Sequence, residues 1–207
     1  MPRAAVLDFE TTGLSPDLGD RGTEIAIVIV EAGRVVDRYA SLMNAGVAIP
    51  AFITEFTGIT NAMVRAAPPA ATVMVDVHKF VGTTPLVAHN ASFDRRFWLA
   101  ELARAGLSAT HPFACTMLLA RRLYPNAPDH KLGTLVDLHR LPRPGAAHRA
   151  LADAEMAALL WVQVQSDLRR LHGVKDPTHT LMVRLQKCSR SGVAAFLARH
   201  ATTGTPG

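Results

Sequence analysis

Cysteine is almost missing from this chain: Cys115 and Cys188 are the only two among 207 residues. Two thiols exclude a disulfide framework and a four-cysteine zinc site, and they suit a reducing compartment, so a cytoplasmic protein is expected. Long hydrophobic runs are missing as well. Charges interrupt every candidate before the ~18 residues that a bilayer span requires, so no membrane partner is expected. The opening stretch Met1-Pro2-Arg3-Ala4-Ala5-Val6-Leu7-Asp8 meets an acid too soon for a secretory h-region. Acids also run short toward the end. From Leu168 onward Asp176 faces seven bases (Arg169, Arg170, Lys175, Arg184, Lys187, Arg190, Arg199), a balance of +6. The whole chain carries +5, so residues 1–167 sum to −1. A near-neutral body with a basic end points to a polyanion, nucleic acid being the commonest, against the plainer reading of a solvated cationic face.

What is present is the composition of a folded protein, 49% hydrophobic and 19% charged. Residues 4–9, 24–31 and 34–43 read as strands, the last two joined by the hairpin turn Ala32-Gly33. Residues 85–88 read as a short buried strand. Helical periodicity covers 50–56, 71–81, 92–105, 116–123, 132–141 and 149–171, with Ala67-Pro68-Pro69 as a breaker and Gly106 as a stop. Strands first and helices after, with one strand between helices, predict a mixed α/β sheet covered by helices. His172-Gly173-Val174-Lys175-Asp176-Pro177 reads as a linker to a basic two-helix tail over 180–187 and 192–199, fraying at 202–207.

The acids carry the chemistry. Asp8 and Glu10 are two apart on a strand and share one face, while Leu7 and Phe9 point the other way. Carboxylates so placed repel each other unless a hard cation such as Mg²⁺ or Mn²⁺ sits between them, or unless the strand end simply faces solvent. Asp94 follows the strand at 85–88 in the first turn of a helix, where Ser92 as N-cap and a helix-dipole role for Asp94 form the simpler account. His148 and Asp153 are five apart, ~140° around a helix, so a shared site requires His148 to stand before the helix. Otherwise they are a polar loop residue and a solvated helix acid.

Together, Asp8-Phe9-Glu10-Thr11-Thr12-Gly13-Leu14, His89-Asn90-Ala91-Ser92-Phe93-Asp94 and His148-Arg149-Ala150-Leu151-Ala152-Asp153-Ala154-Glu155 resemble the DEDDh family of 3′–5′ exonucleases. Phe56-Thr57-Gly58-Ile59-Thr60, Cys115-Thr116 and Lys131-Leu132-Gly133-Thr134-Leu135 fall where that family has lesser landmarks. The resemblance covers about residues 4–165. It implies a ribonuclease H-like fold, a mixed five-stranded sheet flanked by helices, with a C-terminal helical extension. The domains expected are 1–172 for the exonuclease and 173–207 for the basic tail.

The resemblance also implies two divalent ions, Mg²⁺ or Mn²⁺, held by Asp8, Glu10, Asp94 and Asp153, with His148 as general base. The expected reaction releases nucleoside 5′-monophosphates from nucleic acid 3′ ends, single-stranded or frayed DNA first. An RNA-trimming enzyme and a non-catalytic 3′-end-binding module are the alternatives. Thr11, Thr12, Gly13, Leu14, His89, Asn90 and Phe93 are the expected substrate contacts, with core packing as the rival role for Leu14 and Phe93. Through the tail, a polymerase partner or self-association is open.

Overall fold

The run Ile25-Ala26-Ile27-Val28-Ile29-Val30 has no polar alternation, and it folds as a strand buried on both faces. In the structure, a computed structural model that describes residues 3–145 and 148–201, this strand is β2 (Gly22–Glu31). It pairs antiparallel with β1 (Ala4–Thr11) on one side and β3 (Arg34–Leu42) on the other. The β2–β3 turn is Ala32-Gly33, with φ of 50° and 78°, a doubly left-handed turn that suits the twist of a hairpin. β4 (Leu86–Ala88) and β5 (Phe113–Cys115) add beyond β1, parallel to it, in the order β3-β2-β1-β4-β5.

The period of two then sorts the core into layers. Ala4, Val6, Ala26, Val28 and Val30 face one layer; Ala5, Leu7, Phe9, Ile25, Ile27 and Ile29 face the other. The first layer holds α5 (Thr116–Leu123), α6 (Leu132–Leu138) and the long α7 (Ala150–His172). The second holds α3 (Ala70–Val81) and α4 (Ala91–Arg104). Two short helices, α1 (Ala51–Thr57) and α2 (Asn61–Ala66), close over Ile49, Ile59 and Val64. This is the mixed five-stranded sheet flanked by helices that the resemblance implies.

Several local expectations change. Residues 61–66 are helical, in a piece too short for periodicity to reveal; Thr60 Oγ1 accepts the Met63 N–H at 3.2 Å and starts it. Residue patterning likewise missed the three residues of β5. The helix expected to 141 stops at Leu138, because Arg140 turns left-handed (φ 52°) and the Leu141 N–H bonds back to the Val136 carbonyl at 2.9 Å.

The stretch read as a linker is anchored. Val174 is buried, its N–H bonds the Leu168 carbonyl at 3.0 Å, and Gln165 Nε2 donates to the Pro177 carbonyl at 3.0 Å. The tail helices α8 (His179–Leu185) and α9 (Val193–His200) send Met182, Leu185, Val193, Phe196 and Leu197 into the same core as α7. Gln186 accepts the Cys115 N–H at 2.6 Å and donates to the Phe113 carbonyl at 3.2 Å, covering backbone groups that an edge strand would leave open. The frayed end expected at 202–207 lies outside the described residues. Among the described residues, no helix is long and apolar enough to cross a membrane.

Candidate active site

Three chain segments meet at the C-terminal end of β1. Asp8 and Glu10 stand on the face opposite Leu7 and Phe9, and the N-terminus of α7 brings Asp153 to them. One oxygen from each of Asp8, Glu10 and Asp153 lies within 4.8 Å of the others. Asp94 is 2% exposed, and its Oδ1 accepts the Phe9 N–H at 3.2 Å, so it lies against β1 between the two acids of that strand. The capping account of this turn does not hold. The N-cap of α4 is Asn90, left-handed at φ 64° and without a side-chain cap bond, and Asp94 turns inward.

His148 precedes α7, as a shared site requires. It is exposed, its backbone is left-handed (φ 59°), and its ring stands 3.9 Å from that of Phe56. The His148 backbone also hydrogen-bonds the Asp153 carboxylate. Arg149, the N-cap of α7, forms a two-pronged pair with buried Glu24 on β2, at 2.7 and 3.1 Å, and the Ala150 N–H donates to the same carboxylate at 3.0 Å. Glu24 is the cross-strand partner of Glu10, so this clamp fixes helix α7 against the strands that carry the other acids. A second clamp sits behind it: buried Glu101 on α4 takes two bonds from Arg21, both 2.8 Å, and one from the Gly22 N–H at 3.2 Å.

Patterning passed over both clamps, although an acid inside an otherwise apolar strand (Glu24) was a visible signal. Arg149→Met is expected to cost about 1–3 kcal/mol by stripping a buried carboxylate of two donors. It should also raise the Mn²⁺ concentration needed for half-maximal cleavage. A wild-type denaturation midpoint would reject the clamp.

Electrostatically the carboxyls of the site outweigh the cations near them. Burial, and then repulsion from Asp94, Glu10 and Asp153, holds the Asp8 carboxyl well above the usual range. Burial, and then Asp153, Glu24 and Asp94, pushes Glu10 to about 8 despite the opposing pull of Arg149. Burial also raises Asp94 and Asp153, His148 opposing the rise at Asp153. An all-carboxylate donor set under mutual repulsion fits a hard divalent cation, which would neutralise it at once.

Around the acids runs a cleft of about 530 Å³, walled by Asp8, His89, His148 and Asp153 and by Lys131, Gly133 and Thr134 of the α6 end. Leu14 is 77% exposed, which removes core packing as its role; Phe93 is half-buried, its ring 5.0 Å from that of Phe97. Thr11 Oγ1 donates to the Gly13 carbonyl at 2.6 Å, and Thr12 Oγ1 accepts the Arg21 N–H at 3.0 Å, so both buried hydroxyls shape the loop. A Cβ at Gly13 would overlap the Asp20 carboxylate, which accepts the Ser15 N–H at 2.9 Å, so a side chain there would have to displace it. Asn90 is exposed and follows His89 of the cleft wall in the chain. His89 has both ring nitrogens engaged, Nδ1 with Thr116 Oγ1 at 2.9 Å and Nε2 with the His130 carbonyl at 3.0 Å. Burial lowers its pKa to about 4, so the neutral ring donates from Nε2 and offers a substrate only its carbon edge.

Residues 5–161 match the family model described as Exonuclease. The chain belongs to this exonuclease family. The 3′–5′ exonuclease DinG of Bacillus subtilis is 35% identical over 193 residues, which are 86% of this chain and 21% of DinG. The PolC-type DNA polymerase III of Oceanobacillus iheyensis is 41% identical over 162 residues, 77% of this chain and 11% of that polymerase. The chain thus spans about a fifth or less of these relatives' length. Exonuclease X, solved with 5′ overhanging duplex DNA, superposes with a TM-score of 0.65 and 32% identity, covering 80% of this chain and 92% of that one. Escherichia coli Exonuclease I with a dT13 oligonucleotide gives 0.71 at 18% identity, over 83% and 42% of the two chains, a likeness of fold. As an exonuclease-family domain the chain carries its acids on the sheet end where all three motifs converge.

Proposed function

We propose that the chain is a metal-dependent 3′–5′ exonuclease that releases nucleoside 5′-monophosphates, with single-stranded or frayed DNA as substrate. The observation that carries this reading is the carboxylate cluster Asp8–Glu10–Asp153, with Asp94 against β1 and His148 at the mouth. Asp8, Glu10, Asp94 and Asp153 would hold two divalent ions, Mg²⁺ or Mn²⁺, which supply an activated water and offset charge on the phosphate. His148, exposed beside the cluster, takes the proton of the attacking water. Leu14 offers an apolar surface to the terminal base, Phe93 a ring edge, and Asn90 an amide to the sugar or phosphate. The DNA bound by Exonuclease X, 32% identical, supports DNA as substrate.

The same reading gives the basic tail a protein partner. His172 is ~28 Å from Asp153 along α7, at ~1.5 Å per residue, and it shares a groove with Arg122 and Arg190. That pole suits a protein partner, a polymerase or a second copy, better than a grip on the 3′ terminus. A cytoplasmic setting belongs to the same reading. The test is degradation of matched single-stranded DNA, duplex DNA with a frayed 3′ end, and RNA, in Mg²⁺ and in EDTA. Stepwise release of 5′-mononucleotides from the DNAs, abolished by EDTA, is expected. Faster trimming of RNA would move the substrate, and binding without release in Mg²⁺ would leave a 3′-end-binding module.

A further inference from the structure

A second groove, of about 470 Å³, opens on the far side of α4 from the acids. Its rim is the exposed face of that helix, Ser92, Arg95 and Arg96, with Ser92 and Arg95 flanking Phe93 and Asp94 in the chain. Its floor is half-buried Phe113 and Leu118, and no acid lines it. Arg95 makes no hydrogen bond or ion pair among the described residues. Arg96 donates from Nη2 to the Leu14 carbonyl at 3.2 Å, which joins the groove rim to the loop beside the catalytic cleft. Gln186, bonded to both Phe113 and Cys115, holds the floor in place.

Accepting the exonuclease reading above, we infer that this groove carries the substrate strand upstream of its 3′ end, the phosphates on Arg95 and Arg96 and the bases over Phe113 and Leu118. The chemistry of the groove matches such an occupant. A single strand presents a polyanionic backbone and apolar base faces together, and it is held by a cationic rim over an aromatic or apolar floor without sequence readout. The Arg96–Leu14 hydrogen bond gives the groove its continuity with the loop that follows the catalytic acids. The cationic pole near His172 has no such continuity.

The experiment is binding of fluorescein-labelled oligo-dT of three to twelve nucleotides, in EDTA, to the full chain and to Arg95→Ala and Arg95→Glu, at several salt concentrations. For the wild type, affinity should rise with length beyond the few nucleotides that the cleft holds. In Arg95→Glu the longer oligomers should bind at least about tenfold more weakly, while the trinucleotide is unaffected. In Arg95→Ala the salt slope should fall by roughly 0.7, the worth of one phosphate on a single strand. Hydrolysis of the p-nitrophenyl ester of thymidine 5′-monophosphate in Mg²⁺, which needs only the cleft, should be unchanged. Equal loss for three and twelve nucleotides or an unchanged salt slope would each overturn the groove as the strand's path. Failure of every substrate to be cut in Mg²⁺ would strike the exonuclease reading instead, and the binding series would still decide the groove.

Discussion

Asp8→Asn should release no nucleotide in Mg²⁺ or Mn²⁺, yet fold at least as well as the wild type. Asp8 sits at the centre of the cluster, with Asp94, Glu10, Asp153 and Glu24 all raising its pKa on top of burial. An amide of the same shape keeps the packing of β1 and removes the charge that the others repel. In EDTA the variant's denaturation midpoint should therefore equal or exceed the wild type's. The pH dependence has a definite sign. The unfolded chain gives up these protons near ~4, whereas the fold holds that of Glu10 to about 8. Metal-free wild type should thus lose stability as pH rises between those values, because the unfolded state has released protons that the folded state retains. Saturating Mg²⁺ should restore the wild type, by linkage of metal to the native state alone, and should do little for the variant. Near-normal turnover of Asp8→Asn in Mg²⁺ would sink the metal-dependent reading.

The second large effect is expected at His148. Its ring is exposed at the cleft mouth, and the only aromatic contact described for it is Phe56, itself 60% exposed. Cutting it back to Ala removes little buried surface, so the fold should not notice. Turnover should fall about 10²- to 10⁴-fold, the usual worth of a general base, while oligonucleotide and Mn²⁺ binding stay near wild type. That split separates proton transfer from substrate or metal binding. An unchanged kcat would return His148 to a loop residue beside Phe56. A parallel loss of oligonucleotide binding would make it a substrate contact.

Much of the chemistry was legible because it is local. Asp8 and Glu10 share a face by strand geometry alone, and the buried positions of Leu7 and Phe9 follow from the same alternation. The placement of His148 before its helix followed from the five-residue spacing to Asp153, since one helix cannot aim both at one point. The apolar run of β2 and the Ala32-Gly33 turn were equally readable. The six-residue α2 and the three-residue β5 were not, because too few residues repeat in them to show a period. Asp94 shows the limit from the other side. Locally it reads as a charge answering a helix dipole, and only the β1 backbone beside it, 85 positions earlier, turns it inward.

The sequence by itself determined which acids share a strand face, the mixed α/β sheet and the basic end, since each rests on spacing or composition. The tertiary structure alone decided what those pieces do to one another. It set Glu24 opposite Glu10 and locked it to Arg149, raised the pKa of Asp8, Glu10 and Asp94 by burial, and left Leu14 in solvent while engaging both nitrogens of His89. It also tied the tail to the edge of the sheet through Gln186, where composition shows only cations. The reason is physical: desolvation, repulsion and hydrogen-bond partnership depend on distance in space, and residues far apart in the chain acquire a distance only when it folds.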